Sequence, residues 1–73
     1  MDLITAEKLM AIYARLNASL NDAAAVIETV PDREEQRRLR RPLGVLMQSV
    51  WIDLMQPIVR EHPHLDPDKK RPA

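Results

Sequence analysis

Cysteine is absent from this sequence, glycine occurs once, and the only aromatic residues are Tyr13 and Trp51. Without cysteine, the chain has no disulfide and no thiolate ligand for a metal. With Gly44 as its single glycine, it lacks the turn chemistry on which β-hairpins depend, and this argues against a sheet. The composition therefore favours an all-α fold.

Long apolar runs are missing as well. Runs such as residues 23–27 contain about five apolar residues, whereas a membrane-spanning helix needs roughly 18 or more. The segment Met1–Thr5 has neither the basic start nor the apolar stretch of a secretory signal. These absences, with the missing cysteine, predict a cytoplasmic protein that makes no contact with a membrane.

The chain is short, at 73 residues, and we expect one domain. A chain of this size buries only about 60% of its unfolded surface, so its core is marginal. Small scaffolds are usually reinforced by disulfides, a metal or a second subunit. Because cysteine is absent and no metal motif is present, the sequence predicts reinforcement by a second copy.

The first helix is predicted from its apolar residues, which recur at steps of three and four. This stripe consists of Leu9, Tyr13, Leu16, Leu20, Ala23, Ile27 and Val30. We expect the helix to run from about Thr5 to Thr29, because Pro31 biases the residue before it away from helical dihedral angles.

A second helix is expected to begin after Asp32, which can cap it, with Glu35 completing a capping box. Pro42 interrupts this helix, because an interior proline removes a hydrogen bond and costs about 3 kcal/mol. The helix either kinks there, or it breaks and a new helix begins at Pro42. Gly44 weakens the same segment, so we expect the break.

Beyond Pro42 the second helix carries two apolar seams on roughly opposite faces, and a helix apolar on nearly every side is buried on more than one side. One seam is Leu43, Met47, Val50, Leu54 and Ile58, and the other is Val45, Gln48, Ile52, Met55 and Val59, with Trp51 between them. The first helix can cover only one seam. The second seam, with Trp51, is therefore the predicted interface, either with a second copy in a homodimeric four-helix bundle or with a different protein.

Gln48 is the polar residue in that second seam. A lone polar core residue can fix register and oligomeric state in coiled coils. Gln48 either has this role or lies at the wet edge of the interface.

The helical domain is predicted over residues 1–61, and residues 62–73 are predicted to be a flexible, proline-rich charged tail. His62 and His64 lie in this tail. A tail lacks the fixed ligand spacing of a metal site, so no metal ligands are predicted there.

Four arginines form the main concentration of positive charge: Arg37, Arg38, Arg40 and Arg41. Several cations on one face could neutralise phosphates, so nucleic-acid binding by this cluster is the alternative function. No aromatic residue interleaves the arginines for base stacking, and the formal net charge is zero. We therefore expect a solvated helix face, paired with nearby carboxylates, and no nucleic-acid partner.

Candidates for catalysis are few. The chain has two serines, Ser19 and Ser49, and neither histidine lies at a helical spacing that would activate them. There is no glycine-rich phosphate loop. No catalytic, cofactor-binding or metal-binding residue is predicted. The sequence favours a small, non-enzymatic structural or regulatory module that binds protein as a helical homodimer.

Overall fold

The computed structural model describes residues 1–67, and within them two long helices form a hairpin without any strand. The predicted all-α hairpin is confirmed. The elements in chain order are α1 (Leu3–Ile27), α2 (Arg33–Ser49), a π-helical segment (Val50–Met55), α3 (Gln56–Glu61) and a 3-10 turn (Pro63–Leu65). None of the helices in this range is both long enough and apolar enough to cross a bilayer.

At the connection between α1 and α2 the structure contains the expected Asp32 cap, while no bond that would complete the capping box from Glu35 is seen among the described residues. The Asp32 side chain accepts a hydrogen bond from the backbone N–H of Glu34 at 3.1 Å. This bond satisfies one of the free N–H groups at the start of α2. One turn later, Glu34 and Arg38 form an ion pair at 3.8 Å on the helix surface.

The break expected at Pro42 does not occur, because α2 continues through this residue as an uninterrupted helix. Pro42 lacks the N–H that would bond to the carbonyl of Arg38. Both residues are exposed, so water can satisfy the carbonyl that the proline leaves without a partner. The sequence interpretation therefore overestimated the effect of a proline on the solvent side of a helix.

The irregularity lies further along, in the π-helical segment Val50–Met55. There the backbone N–H of Gln56 bonds to the carbonyl of Trp51, five residues earlier. Pro57 follows at once, and a proline ring crowds the carbonyl four residues before it, here Asp53. The wider π turn gives that carbonyl room. It also adds a residue to the turn, which rotates all later side chains about the helix axis.

We call α2, the π segment and α3 together the second helix of the hairpin. The rotation decides which residues of this second helix face α1. Up to Val50 the predicted first seam is correct, with Leu43 and Met47 half-buried and Val50 buried. Within the π segment, Met55 is buried in place of the predicted Leu54, which is exposed, and Ile58, the last residue of the predicted seam, is buried. Of the described residues, the buried ones are Ala6, Met10, Val50, Met55, Ile58 and Leu65.

The stripe of α1 also differs in part from the prediction. Leu9, Tyr13 and Leu20 pack against the core, whereas Leu16 is 40% exposed and Ala23 is exposed too. The small residue Ala6 is fully buried. The predicted stripe is thus correct for most of its length, since Ile27 and Val30 are half-buried as well, but it lacks the buried Ala6 and Met10.

The segment predicted as a flexible tail begins, in the structure, with the 3-10 turn Pro63–Leu65. Leu65 packs into the core between the two helices. Residues 68–73, which make up the rest of that predicted tail, lie outside the described residues.

Candidate interaction surfaces

The six residues predicted as an interface do not lie on one surface. Val45, Gln48 and Ile52 are exposed. Met55 is buried within the chain, and Trp51 and Val59 pack against the core around it. The π segment is the cause, because it rotates the seam inward after Ile52. Val45 and Ile52 remain as a small exposed apolar patch with Gln48, on the side of the second helix that faces away from α1. We name this the outer patch.

The arginine cluster is exposed, as expected for a solvated face. Arg40 donates a hydrogen bond to Glu28 Oε1 at 2.6 Å, which joins the first half of α2 to the C-cap residue of α1. Arg38 pairs with Glu34. Two of the four arginines are thus engaged by carboxylates, and the cluster is less available to phosphates than its sequence suggests.

One side of the hairpin is closed by polar contacts and by the C-terminal turn. Near the α1–α2 connection, the Glu28–Arg40 ion pair bridges the helices, and the Gln36 side chain donates to the Glu28 carbonyl at 3.1 Å. At the other end, Leu65 and Pro67 line one groove together with Met55 and with residues of α1. We name this the closed side.

A groove of about 380 Å³ lies on this closed side, between α1 and the segment that contains the 3-10 turn Pro63–Leu65 and Pro67. Met10, Ala11 and Ala14 line it on the α1 side, and among residues 1–67 Glu7 is the one ionisable group in its lining. A single exposed carboxylate gives no acid–base pair and no activated nucleophile.

The opposite side of the hairpin is apolar and uncovered. An α-helix turns by about 100° per residue, so in α1 the sequence Ile12, Leu16, Ser19, Ala23, Val26 lies along one line on the flank away from Glu28. In the second helix, Leu39, Leu46 and Leu54 lie on the flank away from Arg40. Because Glu28 and Arg40 meet on the closed side, these two flanks both face the other side.

We name this surface the apolar flank. Its six large members, each 39–67% exposed, are Ile12, Leu16, Val26, Leu39, Leu46 and Leu54. The sequence interpretation missed it because it assigned Leu16 and Leu54 to the core. The signal was present in α1, where Ile12 to Val26 follow steps of 4, 3, 4 and 3.

At the open end of the hairpin, which lies opposite the α1–α2 connection, Met1 contacts residues at the end of α3. The Met1 amine donates a hydrogen bond to Glu61 Oε1 at 2.8 Å, and His62 Nε2 lies 3.1 Å from the Met1 carbonyl oxygen. The hydrogen bond raises the pKa of the Met1 amine above its ordinary value and lowers the pKa of Glu61. All of these groups are accessible to water.

His62 and His64 lie edge to face, with ring centroids 6.0 Å apart. Residues 1–67 contain no group of three or more His, Cys, Asp or Glu side chains arranged to hold a metal ion. Both histidines therefore lie at the open end, where His62 is next to Met1.

Comparison with models of protein families, with curated proteins and with solved structures finds no match to this chain.

Proposed function

We propose that this chain is a small, non-enzymatic structural or regulatory module of the cytoplasm that acts as a helical homodimer and binds other proteins through its surface. The observation that carries the proposal is the incompleteness of the core. In α2, which has 17 residues, no residue is buried. Among the described residues, no large side chain is less than 2% exposed.

A hairpin of two helices is a single layer, whereas stable domains bury their apolar faces between at least two layers. The shortest dimension of the molecule is 16 Å, little more than the roughly 10–12 Å diameter of one helix. A second hairpin packed on the first supplies the missing layer and gives a four-helix bundle. Two-fold pairing is the commonest way in which a chain does this with its own copy.

Sedimentation equilibrium at micromolar concentration tests the proposal directly. We expect a mass of twice the 8.4 kDa of one chain. The thermal midpoint should also rise with protein concentration, because association stabilises the folded state by mass action. A folded chain that sediments as a monomer, with a midpoint independent of concentration, would refute the homodimer.

The alternative function is nucleic-acid regulation by the arginine cluster. Arg37 and Arg41 are exposed and make no ion pair among the described residues, so they are the two arginines available for phosphate. Two contacts per chain predict weak, nonspecific binding, with Kd in the range of roughly 10⁻⁴ to 10⁻⁶ M at physiological salt. Submicromolar RNA or DNA binding, lost when both residues are changed to Ser, would favour this alternative over the protein-binding module.

A further inference from the structure

We infer that the second copy of the chain packs on the apolar flank and not on the outer patch. The inference rests on the proposed homodimer and specifies the surface through which it forms. The outer patch, the closed side and the apolar flank differ in what already covers them, in how much apolar surface they expose and in the charges at their edges.

The closed side is already occupied in the single chain. Leu65 and Pro67 cover it toward the open end, and the Glu28–Arg40 ion pair crosses it near the α1–α2 connection. Another helix could pack there only by displacing these groups. Nothing in residues 1–67 covers the apolar flank in a comparable way, as its exposed side chains show.

The outer patch is exposed but small. It offers Val45 and Ile52, from one helix, with the amide of Gln48 between them. The apolar flank offers six large aliphatic side chains from two helices, and together they expose on the order of 500 Å², comparable to the largest apolar patch of a typical monomer. Two such flanks face to face offer about 1,000 Å² in total, which is near the lower limit for a specific interface.

Charges at the edges of the apolar flank are self-complementary. At about 100° per residue, Lys8, Arg15 and Asp22 lie along its outer edge on α1, and Asp53 and Arg38, which pairs with Glu34, lie along its outer edge on the second helix. A two-fold axis that lays α1 on α1 brings Arg15 toward Asp22 of the second copy. An axis that lays α1 on the second helix brings Arg15 toward Asp53 instead. Either arrangement sets a base against an acid at the edge, where opposite charge favours association.

Two neighbouring residues give a matched pair of variants. Leu46 lies on the apolar flank and is 50% exposed, whereas Val45 lies on the outer patch and is 62% exposed. We expect Leu46→Glu to reduce the sedimenting mass from twice 8.4 kDa to 8.4 kDa, because the interface would bury a carboxylate without a partner. Val45→Glu should leave the mass unchanged, and circular dichroism checks that both variants keep their helices.

Cross-linking tests the same surface without a disruptive substitution, because the chain has no cysteine. Ser19 and Leu46 lie near the middle of the apolar flank on the two helices. We expect a short bis-maleimide to link either Ser19→Cys to itself or Ser19→Cys to Leu46→Cys in a mixture of the two variants. Gln48→Cys, on the outer patch, should not be linked to itself or to Val45→Cys.

The outcomes separate the two proposals. A monomeric wild-type chain refutes the homodimer itself. A dimeric wild-type chain that dissociates on Val45→Glu but not on Leu46→Glu, or that cross-links only through Gln48→Cys, keeps the homodimer and overturns the assignment to the apolar flank.

Discussion

The two ends of the hairpin are held together by different kinds of interaction. At the open end, Ala6 and Met10 of α1 pack with Ile58 of α3 and with Leu65, and all four are buried. Near the α1–α2 connection, Arg33–Ser49 has no buried residue, and the polar contacts there include the Asp32 cap and the bonds of Glu28 with Gln36 and Arg40, all exposed.

This difference has an energetic consequence. Burying an aliphatic side chain contributes about 1.5–3 kcal/mol, whereas an exposed ion pair contributes typically 0.2–1 kcal/mol. The open end therefore carries most of the stability of one chain, and the connection end should open first. A second copy on the apolar flank would cover Leu39 and Leu46, which lie in the weaker part.

The largest effect is expected from truncating the open-end core. Ile58 is 2% exposed, and Ile58→Ala should lower the free energy of unfolding by about 2–5 kcal/mol, through lost burial and the cavity that remains. Urea denaturation measures the change. Ile52→Ala, at a position 44% exposed, is the matched control and should cost less than about 1 kcal/mol in a monomeric background. Equal losses at the two positions would mean that the core is not where the structure places it.

Sequence reasoning predicted the elements but not the side chains that pack between them. The helices, the connection and the Asp32 cap follow from local signals: apolar steps of three and four, Pro31, and a capping residue before acidic ones. These signals act within one or two turns. Each can be assigned without any knowledge of the neighbouring helix.

The facing residues depend on where the π segment falls, and this was missed. Sequence reasoning gave weight to Pro42, which lies on the solvent side and leaves α2 continuous, and none to Pro57, which follows the wide turn. One extra residue in that turn exchanges Leu54 for Met55 in the core. A register that shifts by one residue turns part of a predicted interface inward, as happened to Met55 and Val59.

The burial of Leu65 could not be predicted from local pattern either. It follows one proline and two histidines in a charged segment, a composition typical of a solvated tail. Its burial results from a long-range contact with α1, and no periodicity precedes it.

A smaller effect, and one of opposite sign, is expected at Pro42 in the weaker part. The helix already passes through this residue, so Pro42→Ala restores an N–H to the Arg38 carbonyl and should stabilise the chain by about 1–3 kcal/mol. Urea denaturation and helical circular dichroism should both register the gain. Pro57→Ala is the comparison and should gain less, because the wide turn beside it places Met55 in the core. No gain at Pro42 would show that water already replaces the missing bond in full.

The smallest effect is expected from the ion pair that closes the connection. Glu28 and Arg40 are 2.6 Å apart, and their side chains are 59% and 55% exposed. Glu28→Gln should therefore cost only about 0.2–1 kcal/mol, and the backbone carbonyl of residue 28 can still accept from Gln36. Because salt screens exposed charges, the difference from the wild type should shrink in about 1 M NaCl, where the screening length is about 3 Å.

Arg38→Gln is the control for that measurement, since the Glu34–Arg38 pair is longer, at 3.8 Å, and more exposed, and this change keeps the acidic residues at the start of α2. It should cost less than Glu28→Gln, because its pair lies within one helix and does not join the two. A loss of several kcal/mol from Glu28→Gln would mean that the connection end is held by its charges as firmly as the open end is by its core. Urea midpoints of the two variants at low and high salt decide between these descriptions.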